Sequence, residues 1–326
     1  MFDAEAFLAA IDQYEHIVIA GHVSPDGDAV GACFAMALFV RSRGKIPVVL
    51  LGAYPPYYDC LRGREFVWQG DWSDVPCEMF IALDCGGKER LAAALPVFER
   101  AKLTVNIDHH QSNDGYGDMN AVDAGCSSAC ELLYGILREA GALDTEMGEA
   151  LFAGIACDTG GFRHASAHAS TFEAAAALMR LGVNGSKIQR HMLYTHSQAA
   201  TRILAAALGA AQFAENAPVA YVSLTLADME CACAASFDLD GIVDRLLDIE
   251  GAAAAVLVSE RAGGVCKISL RSRGLDMNEI ASGFGGGGHR RAAGAAVCGA
   301  AEAVTTQVIL ACEREWAAYA VQNKRD

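Results

Sequence analysis

Short, wholly apolar runs alternate with longer stretches of helical spacing over the first half of the chain. His16-Ile17-Val18-Ile19-Ala20 reads as a buried strand running out at His22. Ile46 to Gly52, Met79 to Leu83 and Leu103 to Ile107 read the same way. Three of these strands close on polar residues: His22, Asp84 and Asp108-His109-His110. Between them, Ala32 to Val40 reads as an apolar helix ending near Gly44, with Arg41, Arg43 and Lys45 where a helix dipole favours cations. Pro55-Pro56 opens a connection and short helix to Leu61. Met1 to Gln13 reads as an amphipathic helix with Phe2, Ala6, Ala9 and Ala10 on one face and Phe7 nearby. Apolar strands alternating with helices imply a parallel sheet covered on both faces. All carboxyl ends of such a sheet share one edge, where ligands bind.

From Gly125 the pattern turns mainly helical. Ser127 and Ser128 stand where they would cap a helix reaching Ala140. Met147 to Cys157 is a further apolar helix that delivers Asp158-Thr159-Gly160-Gly161-Phe162-Arg163. Ser170 to Leu181 follows, with Ser170 as its expected cap, and Lys187 to Ala211 reads as mostly helical. Near Pro218 the pattern changes again. Val219 to Leu226, Ala253 to Ser259 and Val265 to Arg271 read as strands, Asp276 to Ser282 as a short helix, and Ala300 to Val321 as a long one before a polar tail. The expected fold is therefore α/β, a parallel-sheet N-terminal domain plus a smaller α/β C-terminal domain. The expected division is residues 1–190, a helical connector over 191–215, and 216–326, with the active site in the cleft between the domains.

The composition, 53% hydrophobic and 20% charged over 326 residues, is that of a globular chain and excludes disorder over most of it. The net charge of −15 argues against a protein that tracks along duplex nucleic acid by counterion release. It leaves room for a small anionic substrate held by metal ions and a few local arginines. The twelve cysteines form no C-x-x-C pair, which suits buried thiols in a reducing compartment. Met1 to Glu15 lacks the basic and apolar regions of a secretion signal, and no apolar run approaches a membrane span, so the expected location is cytoplasmic.

The candidate chemistry begins at Gly21-His22-Val23-Ser24-Pro25-Asp26-Gly27-Asp28. Pro25 and Gly27 force a turn, which lets one imidazole and two carboxylates converge as a hard-metal ligand set. Asp26 and Asp28 are equally ordinary helix-capping residues, and His22 alone reads as well as a core histidine. Asp84 and Asp158 each divide between cap and ligand in the same way. Adjacent histidines at a strand end, His109 and His110, seldom belong to a core. Gly283 to Gly294 lacks the Gly-Lys-Ser/Thr ending of a P-loop and follows a helix, not a strand. It reads either as a tight turn with His289 exposed or as backbone that approaches a phosphate as an anion nest.

Taken in order, His22-x3-Asp26-x-Asp28, Asp84, Asp108-His109-His110, Asp158-Thr159-Gly160 and Gly286-Gly287-Gly288-His289-x2-Ala292-Ala293-Gly294 resemble the DHH phosphoesterase family, in the branch with a DHHA1 second domain. Length and the stretch Ser269-Leu270-Arg271-Ser272-Arg273 look most like its bifunctional oligoribonuclease/pAp phosphatase (nanoRNase) group. The resemblance implies two divalent metal ions, with His22, Asp26 and Asp84 holding one. Asp28, Asp84, His109 and Asp158 hold the other. Asp84 bridges, Asp108 orients its neighbours, and His110 faces substrate phosphate as donor or general acid. Carboxylate and imidazole donors without thiolate suit Mn²⁺, with Mg²⁺, Co²⁺ and Fe²⁺ left open. His289, Arg271 and the Gly286, Gly287 and Gly288 backbone would grip the nucleotide phosphate, with Arg163 as a further candidate and Arg273 a weaker one. Cys85 departs from the threonine common after the bridging aspartate.

The implied reaction is hydrolysis of short single-stranded oligonucleotides to mononucleotides by two-metal-activated water, and of 3′-phosphoadenosine 5′-phosphate (pAp) to AMP. A homodimer is one assembly this allows. The alternatives are a cyclic- or linear-dinucleotide phosphodiesterase, an inorganic pyrophosphatase, against which the His289 motif speaks, and a non-catalytic nucleotide-binding module.

Overall fold

The computed structural model, which describes residues 3–141 and 143–322, builds its first unit, up to Thr195, around a five-stranded sheet. Helix α1 (Ala4–Gln13) begins where the Asp3 carboxylate accepts from the Ala6 amide at 2.9 Å. It buries Phe7, Ala10 and Ile11, while Ala6 and Ala9 are exposed; Met1 and Phe2 lie outside the described residues. Phe7 and Ile11, four residues apart, set the buried face together with the expected Ala10, and Ala6 and Ala9 fall outside it. Strand β1 (His16–Ala20), α2 (Gly27–Ser42), β2 (Ile46–Leu50), β3 (Met79–Leu83), α3 (Leu95–Glu99), β4 (Leu103–Asp108) and β5 (Met119–Val122) follow. The order is β2-β1-β3-β4-β5 and every pairing is parallel. Chain direction across the sheet reverses between β1 and β3, which makes their carboxyl ends a topological switch point. Strand β5 is absent from the sequence reading; Met119-Asn120-Ala121-Val122 is a short, polar edge strand without an apolar run.

Both faces of this sheet are covered. Ile17, Ile19, Met79, Ile81, Val105 and Ile107 pack toward α1 and α2, and Val18, Ala20, Phe80 and Ala82 pack toward Val97 and Phe98 of α3. Helices α4 (Ala129–Glu139), α5 (Thr145–Asp158), α6 (Ala169–Arg180) and α7 (Gly185–Gln189) complete the unit. Helix α2 is buried almost all round because α5 lies against it. Gly31 makes that approach possible: a Cβ there would stand 2.5 Å from the Ala150 carbonyl oxygen. Helix α6 starts one residue before the expected cap, Ser170. The Thr171 hydroxyl accepts from the His168 amide at 3.1 Å, which moves the cap position to His168. The helical run expected over Lys187 to Ala211 is interrupted. A π-helical turn, Arg190–Tyr194, gives way to extended backbone at Thr195, and Ser197 caps a new helix.

The second unit, His196 onward, contains α8 (Gln198–Gly209), β6 (Gln212–Phe213), β7 (Val219–Leu224), α9 (Leu226–Ala232), α10 (Ile242–Leu247), β8 (Ala254–Arg261), β9 (Val265–Ser272), α11 (Met277–Ser282), β10 (Gly287–His289), β11 (Ala292–Cys298) and α12 (Ala301–Gln322). Its sheet order is β10-β11-β9-β8-β7-β6, antiparallel except between β7 and β8. Val256, Ile268, Leu270 and Ala293 face Met277, Ile280 and Val308 of α11 and α12. On the other face, Val222 and Leu257 meet Ile203 and Leu246 of α8 and α10. The glycine-rich stretch becomes β10, the edge strand paired with β11. A Cβ at Gly286 would lie 2.2 Å from the Gly294 carbonyl oxygen, so this glycine answers to strand packing. Among the described residues no helix is long and apolar enough to cross a membrane.

Candidate metal centre

The carboxyl ends of β1, β3 and β4 bring the candidate ligands of the first unit together. His22 lies two residues past β1. Its Nδ1 donates to the Val23 carbonyl at 2.8 Å, which turns Nε2 toward Asp26 Oδ2 (3.8 Å) and Asp84 Oδ2 (3.5 Å). Asp26 is both cap and candidate ligand. Its Oδ1 accepts from the amides of Asp28 and Ala29 at the start of α2, while Oδ2 faces His22. Asp28 is buried in the first turn of α2. It accepts from the Ala129 amide at 2.6 Å and the Cys130 amide at 2.9 Å, buried donors at the N-terminus of α4 that have no partner within the helix.

Asp84 follows β3 in the left-handed region (φ +50°) and is 2% exposed. A side chain held at such a backbone angle marks a turn that the surrounding structure over-determines. Its Oδ2 points to His22 and its Oδ1 to His109 Nε2 at 3.5 Å. That Oδ1 is buried without a hydrogen bond, which is costly unless another group completes it. His109 Nε2 also stands 3.9 Å from Asp28 Oδ2 and 3.8 Å from Asp158 Oδ2, at the end of α5. The ligand atoms fall into groups, each within 4.8 Å: His22, Asp26 and Asp84; Asp28, His109 and Asp158; Asp84, His109 and His110.

The charges confirm how tightly these groups are packed. Burial would lower His22 and His109, yet the carboxylates around each outweigh it and hold both near 10. Burial and the charge of Asp84 push Asp28 up to about 7, and burial with Asp28 pushes Asp158 up. Asp84 is held low, because His109 and His22 more than offset its burial. A crowded set of carboxylates and imidazoles with one orphaned oxygen and no thiolate is the donor set of divalent metal ions.

His110 and Asp108 form a pair beside this set. His110 Nδ1 donates to Asp108 Oδ1 at 2.8 Å. The other Asp108 oxygen accepts from Asn113 Nδ2 at 2.6 Å. Asn113 is a residue the sequence reading missed. It also donates to the Cys85 carbonyl at 3.2 Å, beside the strained Asp84, and Tyr116 Oη donates to the same oxygen at 2.9 Å. An asparagine three residues past His110 was the only signal; its partners depend on the chain's return into β5. Cys85 itself is buried, with Sγ 3.3 Å from the Gly87 carbonyl.

Past Asp158, residues Gly160, Gly161 and Phe162 all take left-handed angles, and the Thr159 hydroxyl pins the turn by accepting from the Phe162 amide at 3.0 Å. Arg163 is exposed, with Nε on the Gly160 carbonyl at 3.1 Å. In the second unit, His289, Ala292 and Arg271 stand in one row across β10, β11 and β9, so His289 and Arg271 share a sheet face. Arg271 Nε is 3.1 Å from Asp244 Oδ1, and Arg273 Nη2 donates to the Leu247 carbonyl. The amides of Gly286 and Gly288 already donate to the Ala281 carbonyl and Asn278 Oδ1. The nest expected there therefore has two of its three amides engaged within the chain.

The DHH family, by its N-terminal domain, matches residues 16–155, and the DHHA1 domain matches residues 233–312. The chain is 29% identical over 286 residues to the bifunctional oligoribonuclease and PAP phosphatase NrnA of Thermus thermophilus, covering 87% of this chain and 84% of that one. It is 26% identical over 295 residues to the protein of the same name from Bacillus subtilis, covering 89% and 92%. The crystal structure of an exopolyphosphatase-related protein from Bacteroides fragilis shares the fold, with a TM-score of 0.88 at 24% identity over 95% of this chain and 96% of that one.

Proposed function

The chain belongs to the DHH family and carries a DHHA1 domain, and from that premise we propose a metal-dependent phosphoesterase that cleaves short oligonucleotides to mononucleotides and pAp to AMP. The observation that carries the reading is Asp84, whose two carboxylate oxygens face different ligand groups, one of them buried without a hydrogen bond. His22, Asp26 and Asp84 would hold one divalent cation; Asp28, His109, Asp158 and Asp84 the other. Mn²⁺ suits these donors, and the twelve free thiols suit a reducing cytoplasm. Bound there, the pair supplies Lewis acidity to the phosphoryl oxygens and an eased deprotonation of the attacking water.

The chain's own side chains do the rest. Asp108 holds His110 by Nδ1–H, so the imidazole keeps one orientation and its Nε2 proton goes to the leaving ester oxygen. Residues 1–190 carry this chemistry. Residues 216–326 supply Arg271 and His289 on one sheet face to take a phosphate of the nucleotide, and Arg163 adds a cation on the metal-bearing side. The names of the Thermus thermophilus and Bacillus subtilis relatives support both substrates. A 3′-phosphate monoester on a nucleoside and the linking phosphodiester of a short strand both present a P–O3′ bond for hydrolysis.

The test is Mn²⁺-dependent hydrolysis of labelled short RNA, a dinucleotide, pAp and pyrophosphate by the native chain and by Asp84→Asn. Mononucleotides from RNA and AMP from pAp are expected, abolished by chelation and by the substitution. Turnover confined to the dinucleotide would replace this reading with a dinucleotide phosphodiesterase. Saturable nucleotide binding with no product would leave a binding module.

A further inference from the structure

Of the two serines at the start of α4, only Ser128 caps the helix, its hydroxyl accepting from the Glu131 amide at 3.0 Å. Ser127 belongs to a different arrangement. Its amide, at 3.0 Å, and its hydroxyl, at 2.5 Å, both donate to Glu131 Oε2. The Thr171 hydroxyl, in the first turn of α6, donates to the same oxygen at 2.8 Å. Glu131 is 6% exposed, and Ser127, Ser128 and Thr171 are buried with it. Burial would raise its carboxyl, yet the hydroxyls of Ser127, Ser170 and Thr171 and the Ser127 amide hold it below the usual range. A buried carboxylate is costly unless donors complete it in this way. Capping does not call for it, because Ser128 already performs that task.

What this carboxylate holds is the helix end that holds Asp28. The first three amides of α4 are assigned one by one: Ala129 to Asp28 Oδ2, Cys130 to Asp28 Oδ1 and Glu131 to Ser128. The chain reaches this point from the edge strand β5 through Asp123, Ala124 and Gly125, all exposed. That approach supplies no buried anchor of its own. The bond to Thr171 does, since it fastens residues 127–131 to α6, which packs on α5. A line of hydrogen bonds thus runs from Thr171 through Glu131 and Ser127 to the first turn of α4. From there, two amides carry it to the carboxylate that faces His109.

We infer that Glu131 is a positioning residue for the second cation, fixing the N-terminus of α4 so that Asp28 stands with His109 and Asp158 before the ion arrives. The inference rests on the phosphoesterase reading only for the presence of a cation in that group. The hydrogen bonds of Glu131 reach none of the candidate ligands directly, so its effect travels through Asp28 and bypasses Asp26.

The experiment is a double-mutant cycle on Mn²⁺ binding to the metal-free chain, read from the electron paramagnetic resonance signal of the free ion. Glu131→Ala should weaken binding about 10- to 100-fold, as the loss of groups that orient metal ligands does. Glu131→Gln keeps one oxygen for the same donors and loses the charge, and its loss should be smaller, about 2- to 10-fold. In an Asp26→Asn background the loss from either substitution should persist in full. In an Asp28→Asn background it should shrink to about twofold or less, because the carboxylate through which Glu131 acts is already gone. Urea titration of the metal-free chains reports folding, and Glu131→Gln carries the cycle if the alanine variant does not fold. Equal losses in both backgrounds mark a residue that serves the fold alone and overturn the inference. So does unchanged Mn²⁺ binding by a folded Glu131→Ala chain. Because the readout needs no turnover, a native chain that binds Mn²⁺ and hydrolyses nothing would defeat the phosphoesterase reading while the cycle still decided this one.

Discussion

Replacing Asn113 by alanine tests whether its half-buried amide governs the His110–Asp108 pair. Asn113 Nδ2 donates to Asp108 Oδ2 at 2.6 Å and to the Cys85 carbonyl at 3.2 Å, and its Oδ1 accepts from Asn106 Nδ2 at 3.0 Å. Burial alone would raise Asp108, yet its bonds to His110 and Asn113 hold the carboxyl below its usual range, so Asn113 serves the ionised form. A hydrogen bond to a buried charge is worth about 1.5–3 kcal/mol and each neutral one about 1 kcal/mol. The local loss is then roughly 3–5 kcal/mol, within what a domain of ordinary stability survives. Asp108 would keep His110 as its one side-chain partner, and the imidazole would lose its fixed direction. Outer groups that orient catalytic ones typically cost about 10- to 100-fold when removed. Steady-state hydrolysis of a dinucleotide by the Mn²⁺-loaded variant should show kcat down by that factor, with KM changed no more than about twofold. Asn113→Asp, the same size but unable to donate and charged against Asp108, should be at least as impaired. If the alanine variant folds, binds metal fully and keeps kcat within about twofold, Asn113 does not hold the pair and this reasoning is wrong.

Three further outcomes are expected. Gly31→Ala forces a methyl to within 2.5 Å of the Ala150 carbonyl, backbone that has nowhere to go, and should lower stability by about 1–3 kcal/mol in a urea titration; an unchanged midpoint would mean that α2 and α5 can separate freely. Glu78 accepts from the amides of Glu15 and His16 and from Lys102 Nζ at 2.9 Å, and Lys102 above all brings its carboxyl down from the ordinary 4.5 to about 2. Its contribution is complete above 4.5 and disappears as the pH falls toward 2, so Glu78→Gln should flatten that segment of an acid-unfolding curve. Cys85 is buried, and burial pushes its thiol up to about 11, so peptide mapping after brief alkylation at pH 8 should find Cys60, Cys231, Cys233 and Cys298 modified long before it. Early labelling of Cys85 would show that the turn after Asp84 opens readily.

The candidate ligands were legible because their places follow from one rule. Parallel strands put their carboxyl ends on one edge, so His22, Asp84 and His109 had to converge once the apolar runs around Ile17, Phe80 and Val105 were read as neighbours. Asn113 was not legible, because its partners depend on the return of the chain into β5, and Met119-Asn120-Ala121-Val122 carries no pattern that announces a strand. The glycine-rich stretch was only half legible, since glycine serves close strand packing and anion binding with the same backbone, and Gly286 shows the former.

The choice between cap and ligand, which the sequence leaves even for Asp26 and Asp28, dissolves once each carboxylate is counted as two oxygens with several lone pairs. Asp26 caps α2 through Oδ1 and faces His22 through Oδ2. Asp28 accepts two amides of α4 and still presents Oδ2 to His109. Each aspartate is therefore fixed by a helix N-terminus before any cation arrives, so little further ordering is left for binding to pay. It follows that these two positions resist asparagine differently from Asp84. An amide at Asp26 can still accept both backbone hydrogen bonds through its one oxygen, so the fold survives and only cation affinity falls, whereas at Asp28 both oxygens accept amides of α4 and an amide nitrogen would face one of those donors, at a cost to stability as well. At Asp84, whose Oδ1 has no hydrogen bond, the second charged oxygen has no structural duty and its loss falls wholly on the two ligand groups it joins.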